Sequence, residues 1–188
     1  MKKQNMARTI GLLIIVGALI LFCFFRLTQN VTKEKTANTA KTEMEKLISY
    51  DFENEYPKTV RDVMKLYCRY LKQVYAKDTK EDELSGLVSA MRNLYAEEMK
   101  EYTDEVSQLN TLKQDRKSNQ EDKKYIIGSV IEEASQITYD TIDGVEYAKI
   151  NITLNAKVGT TSTRIDQVYA LEKDGLDHWK IYGWADVD

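Results

Sequence analysis

Any imidazole chemistry in this 188-residue chain must run through one residue, because His178 is its only histidine. A Ser-His-Asp relay would need it as the base, and a His/Cys zinc site would need it beside cysteines. The cysteines number two, Cys23 and Cys68. That is too few for such a ligand set, and their expected placement in separate segments excludes a disulfide framework. The glycine-rich phosphate loop, the G-x-S-x-G elbow and the H-E-x-x-H helix do not occur in the sequence. No catalytic residue, cofactor or metal ligand is therefore expected, and the chain reads as a non-enzyme. His178 opens a segment in which Trp179, Ile181, Gly183, Ala185 and Val187 alternate with Lys180, Tyr182, Trp184 and Asp186. Alternation of this kind sends the apolar set inward and leaves His178 on the wet face beside a turn.

Tyrosine is the other chemical signature, with 12 copies. Tyr67, Tyr70 and Tyr75 fall on one predicted helix, and Tyr139, Tyr147, Tyr169 and Tyr182 on predicted strands. A ring that is apolar along its body and polar at its tip suits both helix–sheet boundaries and interfaces. Core and boundary packing is the expected role. The outward sheet face around Tyr147, Tyr182 and Trp184 is the expected interaction surface, since an outward tryptophan calls for something to cover it.

The elements that position these residues follow a membrane anchor. Thr9–Phe25 is an uncharged run of seventeen residues without proline, preceded by a short tail, residues 1–8, that carries Lys2, Lys3 and Arg8. As a helix it rises about 25 Å, close to the roughly 30 Å hydrocarbon core of a bilayer. Its Leu, Ile, Val and Phe residues each favour insertion by roughly 0.3–0.6 kcal/mol. The exit, Phe22-Cys23-Phe24-Phe25-Arg26, lacks the small residues of a signal-peptidase site, so the segment reads as a retained signal-anchor. Basic residues flank it on both sides. The short tail favours an orientation with the C-terminal part outside the cytoplasm.

Residues 26–55 are rich in Thr, Lys, Glu and Asn and read as a polar linker, with a helical turn near Met44–Ile48. Residues 56–188 are enough for one domain. After Pro57 and Thr59, Val60, Val63, Met64, Tyr67, Tyr70, Leu71 and Val74 recur at helical spacing, and the helix should end near Lys77–Asp78. A second helical region spans Glu81–Tyr102, with Leu84, Leu87, Val88, Met91, Leu94, Tyr95 and Met99 as its apolar face. Leu109–Lys124 is strongly polar and predicts a helix end and then a loop. From Tyr125 the period becomes two. One strand runs to Thr141, Asp143-Gly144 makes a hairpin turn, and further strands follow through Lys173 and from His178 to Val187. Helices first and then a four-stranded antiparallel meander give an α+β class. A net charge of −3 with interspersed signs gives no electrostatic case for nucleic acid.

The closing strand Trp179-Lys180-Ile181-Tyr182-Gly183-Trp184, after an Asp-Gly turn, resembles the last strand of many NTF2-like domains. Together with Tyr56-Pro57-Lys58-Thr59 and Leu94-Tyr95-Ala96-Glu97-Glu98, it is similar to an uncharacterised family of membrane-anchored proteins from Gram-positive bacteria. The resemblance implies an NTF2-like/cystatin-like cone, helices packed on a curved sheet, held at the cell membrane. It also implies an assembly or protein-interaction module of the envelope, with itself or another envelope protein as partner. The alternative is a cone cavity, lined by Trp179, Tyr169 and Asp166, that binds a lipid or cell-wall fragment. Ketosteroid isomerases of this superfamily pair acids with a tyrosine in such a cavity. Asp166, Tyr169, Glu132, Glu133 and Tyr139 are the residues that would supply that chemistry here.

Overall fold

The structure, a computed structural model, describes residues 42–187. The tail, the anchor expected at Thr9–Phe25 and most of the linker lie outside the described residues. Among the described residues no helix is long and apolar enough to cross a membrane.

The folded unit begins at Thr42 rather than Tyr56. Thr42 caps α1 (Glu43–Ile48) reciprocally: its hydroxyl accepts from the Glu45 amide at 3.2 Å, and the Glu45 carboxylate accepts from the Thr42 amide at 2.8 Å. A six-residue helix does not persist alone, so packing must hold it. Leu47 is fully buried, and the Tyr70 hydroxyl donates to its carbonyl at 2.8 Å. Tyr50, Phe52 and Tyr56 then follow in a chain of tilted ring contacts with centroids 4.7 and 6.0 Å apart. One leucine and three aromatics outweigh a polar composition.

α2 (Val60–Val74) starts at Thr59, whose hydroxyl accepts from the Asp62 amide at 3.1 Å. Its expected stripe is buried throughout. α3 (Glu81–Met91) continues into a 3-10 turn, Arg92–Leu94. There the predicted long helix breaks. Tyr95 turns extended and bridges Ile181, and the Ala96 amide donates to the Ile181 carbonyl at 2.9 Å. α4 (Glu97–Tyr102) follows the break.

Where the sequence predicts mostly loop, α5 (Glu105–Glu121) forms. Asp104 caps it, accepting from the Ser107 amide at 3.0 Å. The residue that α5 buries most completely is Arg116. Its guanidinium donates to the carbonyls of Val74, at the end of α2, and of Thr79. Leu109 and Leu112 add half-buried apolar contact. The helix is docked by an arginine, which a search for apolar periodicity passes over.

The sheet has five antiparallel strands rather than four. They are β1 (Lys124–Ile131), β2 (Thr138–Ile142), β3 (Val145–Val158), β4 (Thr161–Lys173) and β5 (Trp179–Asp186). The run predicted as one strand, Tyr125–Thr141, is β1 and β2, lying along the same edge of β3 with Ile131 opposite Ile152 and Thr138 opposite Lys149. Side chains interrupt the ladder between them. The Glu132 carboxylate takes the Asn151 amide at 2.8 Å, and Arg61 of α2 donates to the Glu132 carbonyl and the Glu133 carboxylate, both at 3.1 Å. The order across the sheet is β1 (with β2 in line), β3, β4, β5. Asp143 and Gly144 turn β2 into β3 with φ of 52° and 84°, as the Asp-Gly signal requires. On β3, Ala148, Ile150, Ile152, Leu154 and Ala156 are buried, facing the helices.

Candidate functional site

Side chains of α2, α5, β3 and β4 leave a cavity of about 420 Å³ between the helices and the inner face of the sheet. Leu71, Met91, Leu112, Ile126, Leu154 and Ile165 form its apolar wall. Asp115, Asn119, Lys124 and Trp184 contribute polar and aromatic lining. Tyr67 from α2, Tyr95 from the break after α3, and Tyr169 from β4 meet there, each at most 3 % exposed. The Tyr67 ring lies 6.1 Å from that of Tyr95 and 5.6 Å from that of Tyr169.

Amides hold the hydroxyls of the two outer rings. Gln108 Nε2 donates to the Tyr95 hydroxyl at 3.0 Å, and the Tyr169 hydroxyl donates to Gln167 Oε1 at 2.7 Å. Charged groups behind the wall orient both amides. Arg92 donates to Gln108 Oε1 at 2.7 Å, and Gln167 Nε2 donates to Asp186 at 2.8 Å. Burial raises all three phenols from the ordinary tyrosine range, Tyr67 most clearly, so they stay neutral donors and acceptors. Burial likewise pushes Tyr75, on the same wall, up to about 12.

A family model described as a domain of unknown function, DUF6715, matches residues 1–184. The chain belongs to the DUF6715 family. No curated protein matches it.

In this DUF6715 domain the residues singled out from sequence separate. Tyr169 lines the cavity. Trp179 is buried but lies elsewhere, its ring 5.7 Å from Tyr139 and from Lys173 Nζ, and its carbonyl accepts from the Tyr56 hydroxyl at 3.0 Å. Asp166 is exposed on the outer face, hydrogen-bonded to the Thr153 hydroxyl. With Glu132 and Glu133 held at the β1–β2 corner, the acid–tyrosine set suggested by the isomerase resemblance does not assemble.

Tyr147 and Tyr182 do meet on the outer face, edge to face at 6.1 Å. Trp184 parts from them. Leu171 pairs with Ile181 but Ala170 with Gly183, so Tyr182 is an extra residue on β5. This bulge resets the alternation. Trp184 comes opposite Tyr169 and stacks on it at 6.0 Å, bordering the cavity as well as the outer groove. His178 is half-buried rather than solvated, stacked on Tyr56 at 4.0 Å with Nδ1 3.8 Å from Asp174. Cys68 is buried, and burial pushes its thiol up to about 11. Among the described residues no group of three or more His, Cys, Asp or Glu is placed to hold a metal.

Sequence reasoning placed Tyr67 and Tyr95 in apolar helix stripes and passed over Gln108 and Gln167. The available signal was chemical: a tyrosine inside an apolar stripe needs a partner for its hydroxyl, and glutamine is one that reaches.

Proposed function

We propose that this DUF6715 protein is a single-pass membrane protein whose extracytoplasmic, NTF2-like domain binds a small, largely apolar molecule. The tyrosine-lined cavity of about 420 Å³ carries this reading. Its volume, its apolar wall and its few converging polar groups are those of a small-molecule site. The element order, helices followed by an antiparallel sheet, supports the NTF2-like assignment, and the apolar run at residues 9–25 supports the anchor. A ligand taken from the membrane or wall nearby fits both. No reaction is assigned to the domain.

The test is to purify the full-length protein from its own membranes and extract it for mass spectrometry beside Ala156→Leu. Ala156 is fully buried on the cavity wall, so the larger side chain fills space without leaving a polar group unpaired. A small molecule retained by the native protein and absent from the folded variant is the expected result. Equal recovery from both proteins would overturn it.

A second reading, assembly with itself or with another envelope protein, is favoured by the outer groove that Tyr139, Ile142, Tyr147, Val168 and Tyr182 line. Crosslinking in intact membranes tests it. Capture that is lost in Tyr147→Ser/Tyr182→Ser supports assembly, and capture unchanged by those substitutions counts against this face. Protease treatment of intact cells tests the placement, because cleavage in the domain is expected only if it lies outside.

A further inference from the structure

The polar lining of the cavity divides into groups already engaged and groups still open. Gln108 uses both ends of its amide, on Arg92 and Tyr95, and Gln167 uses both of its own, on Asp186 and Tyr169. Those amides belong to the wall. The charged lining residues are Asp115 of α5 and Lys124, the first residue of β1. Among the described residues neither side chain makes a hydrogen bond or an ion pair. Neighbouring charges are taken elsewhere. Lys113 lies 3.6 Å from Glu81, and Arg116 is held by the carbonyls of Val74 and Thr79.

Helix geometry brings the open groups together. Gln108, Thr111, Leu112, Asp115 and Asn119 recur at three- and four-residue spacing, so α5 turns one face to the cavity, and all of these but Leu112 are polar. Asp115 stands about 10 Å along the helix from Gln108, and Asn119 one turn further on. Lys123 then takes a φ of 52° and turns the chain into β1, so Lys124 enters the lining at the Asn119 end. The facing wall, with Leu71, Met91, Leu154 and Ala156, is apolar. A carboxylate and an ammonium that line one cavity without pairing leave two opposite charges for a ligand to meet. We propose that the cavity binds a zwitterion with an apolar body: a primary ammonium on Asp115, a carboxylate or phosphate on Lys124, and the carbon skeleton against Leu71, Met91 and Leu154. Asn119, half-buried on the same lining, offers that head both a donor and an acceptor. A ligand with one charge satisfies one of the two residues and is repelled by the other, and an uncharged ligand satisfies neither. Such a head is carried by an amino acid or peptide-like molecule and by an ethanolamine phospholipid.

The proposal rests on the cavity being a binding site, and one experiment separates the two failures. The probes share a skeleton: homophenylalanine carries both charges, 3-phenylpropylamine the ammonium alone, 4-phenylbutyrate the carboxylate alone, and 3-phenyl-1-propanol neither. Binding to the purified full-length protein in nonionic detergent is measured by calorimetry, with the detergent alone as the blank. Homophenylalanine should bind about fivefold to tenfold tighter than either singly charged probe, the scale of one charge-assisted hydrogen bond at a partly exposed site. Asp115→Asn should erase its advantage over the acid, and Lys124→Gln its advantage over the amine. Asp115 is exposed and Lys124 half-buried, so both variants keep the core intact. Dihexanoyl phosphatidylethanolamine, beside the phosphatidylglycerol of the same chains, repeats the comparison for a lipid, and the tighter of the two zwitterions names the source of the head. If 3-phenyl-1-propanol binds as tightly as homophenylalanine, or both variants leave the order of the probes unchanged, the zwitterion assignment falls while the binding cavity stands. No binding of any probe overturns the cavity reading, and the assignment with it.

Discussion

Replacing Leu47 by alanine separates a folded α1 from a solvated linker. Leu47 is fully buried, whereas the composition around it, Thr-Glu-Met-Glu-Lys, is that of a spacer. Truncating a buried leucine costs about 2–5 kcal/mol, and about 3 is expected here because a short helix can undock instead of leaving a cavity. For a domain of this size 1 kcal/mol moves Tm by about 2–4 °C, so Leu47→Ala should lower Tm by about 6–12 °C. The assay is thermal unfolding of the full-length protein followed by near-ultraviolet circular dichroism. Tyr70→Phe sharpens it. That change removes the hydroxyl that donates to the Leu47 carbonyl and alone should cost about 1 kcal/mol. If Leu47→Ala undocks α1, the hydroxyl has already lost its partner, so the double variant should be little worse than Leu47→Ala. A Tm within about 1 °C of the native protein, as substitution in a solvated spacer would give, refutes the assignment of α1 to the core.

Arg116→Met should cost about 2–4 kcal/mol in urea unfolding, because it strips the donors from the buried carbonyls of Val74 and Thr79, and Arg116→Lys should restore part of that loss. Burial raises the folded-state phenols of Tyr67, Tyr70 and Tyr169, so the stability they confer is complete below the ordinary tyrosine range. It should fall as pH rises above about 10, with part of the phenolate absorbance at 295 nm appearing only as the protein unfolds. The Cys68 thiol, buried and pushed up to about 11, should be alkylated at neutral pH only after denaturation, read on its own peptide by mass spectrometry. Toward acid, the hydrogen bond from Arg69 holds the Glu43 carboxyl below the usual range. It contributes above the unfolded glutamate pKa and is lost as pH falls through the folded one. Glu43→Gln should therefore flatten the acid limb of the stability curve below about pH 4.5.

Much of the fold was legible where burial follows a period. The α2 stripe and the inward residues of β3 fell where their spacing put them, because one face of each element is apolar and the other is not. The misses share a different physics. α5 is docked by a guanidinium on two carbonyls, so it carries too little apolar signal to be recognised. The Tyr125–Thr141 run is cut by Arg61 and Asn151, residues distant in sequence that act on Glu132 and Glu133. At the site, one extra residue on β5 turns Trp184 from the outer face toward Tyr169, and alternation cannot register a bulge. The tyrosine cluster and its amide partners draw on α2, the break after α3, α5 and β4. No local pattern announces such a meeting.

The short pairing of Tyr95 and Ala96 with Ile181 couples two properties that are usually separate. β5 is the outermost strand on its side, and an open strand edge invites another chain to add to it. At Ile181 that place is already occupied by the protein's own backbone, and the same two residues put the Tyr95 ring into the cavity wall. An incoming strand could pair there only by taking the Ile181 carbonyl from Ala96, and Tyr95 would leave with it. Strand addition at this point of the edge would therefore also take an aromatic side chain out of the cavity wall.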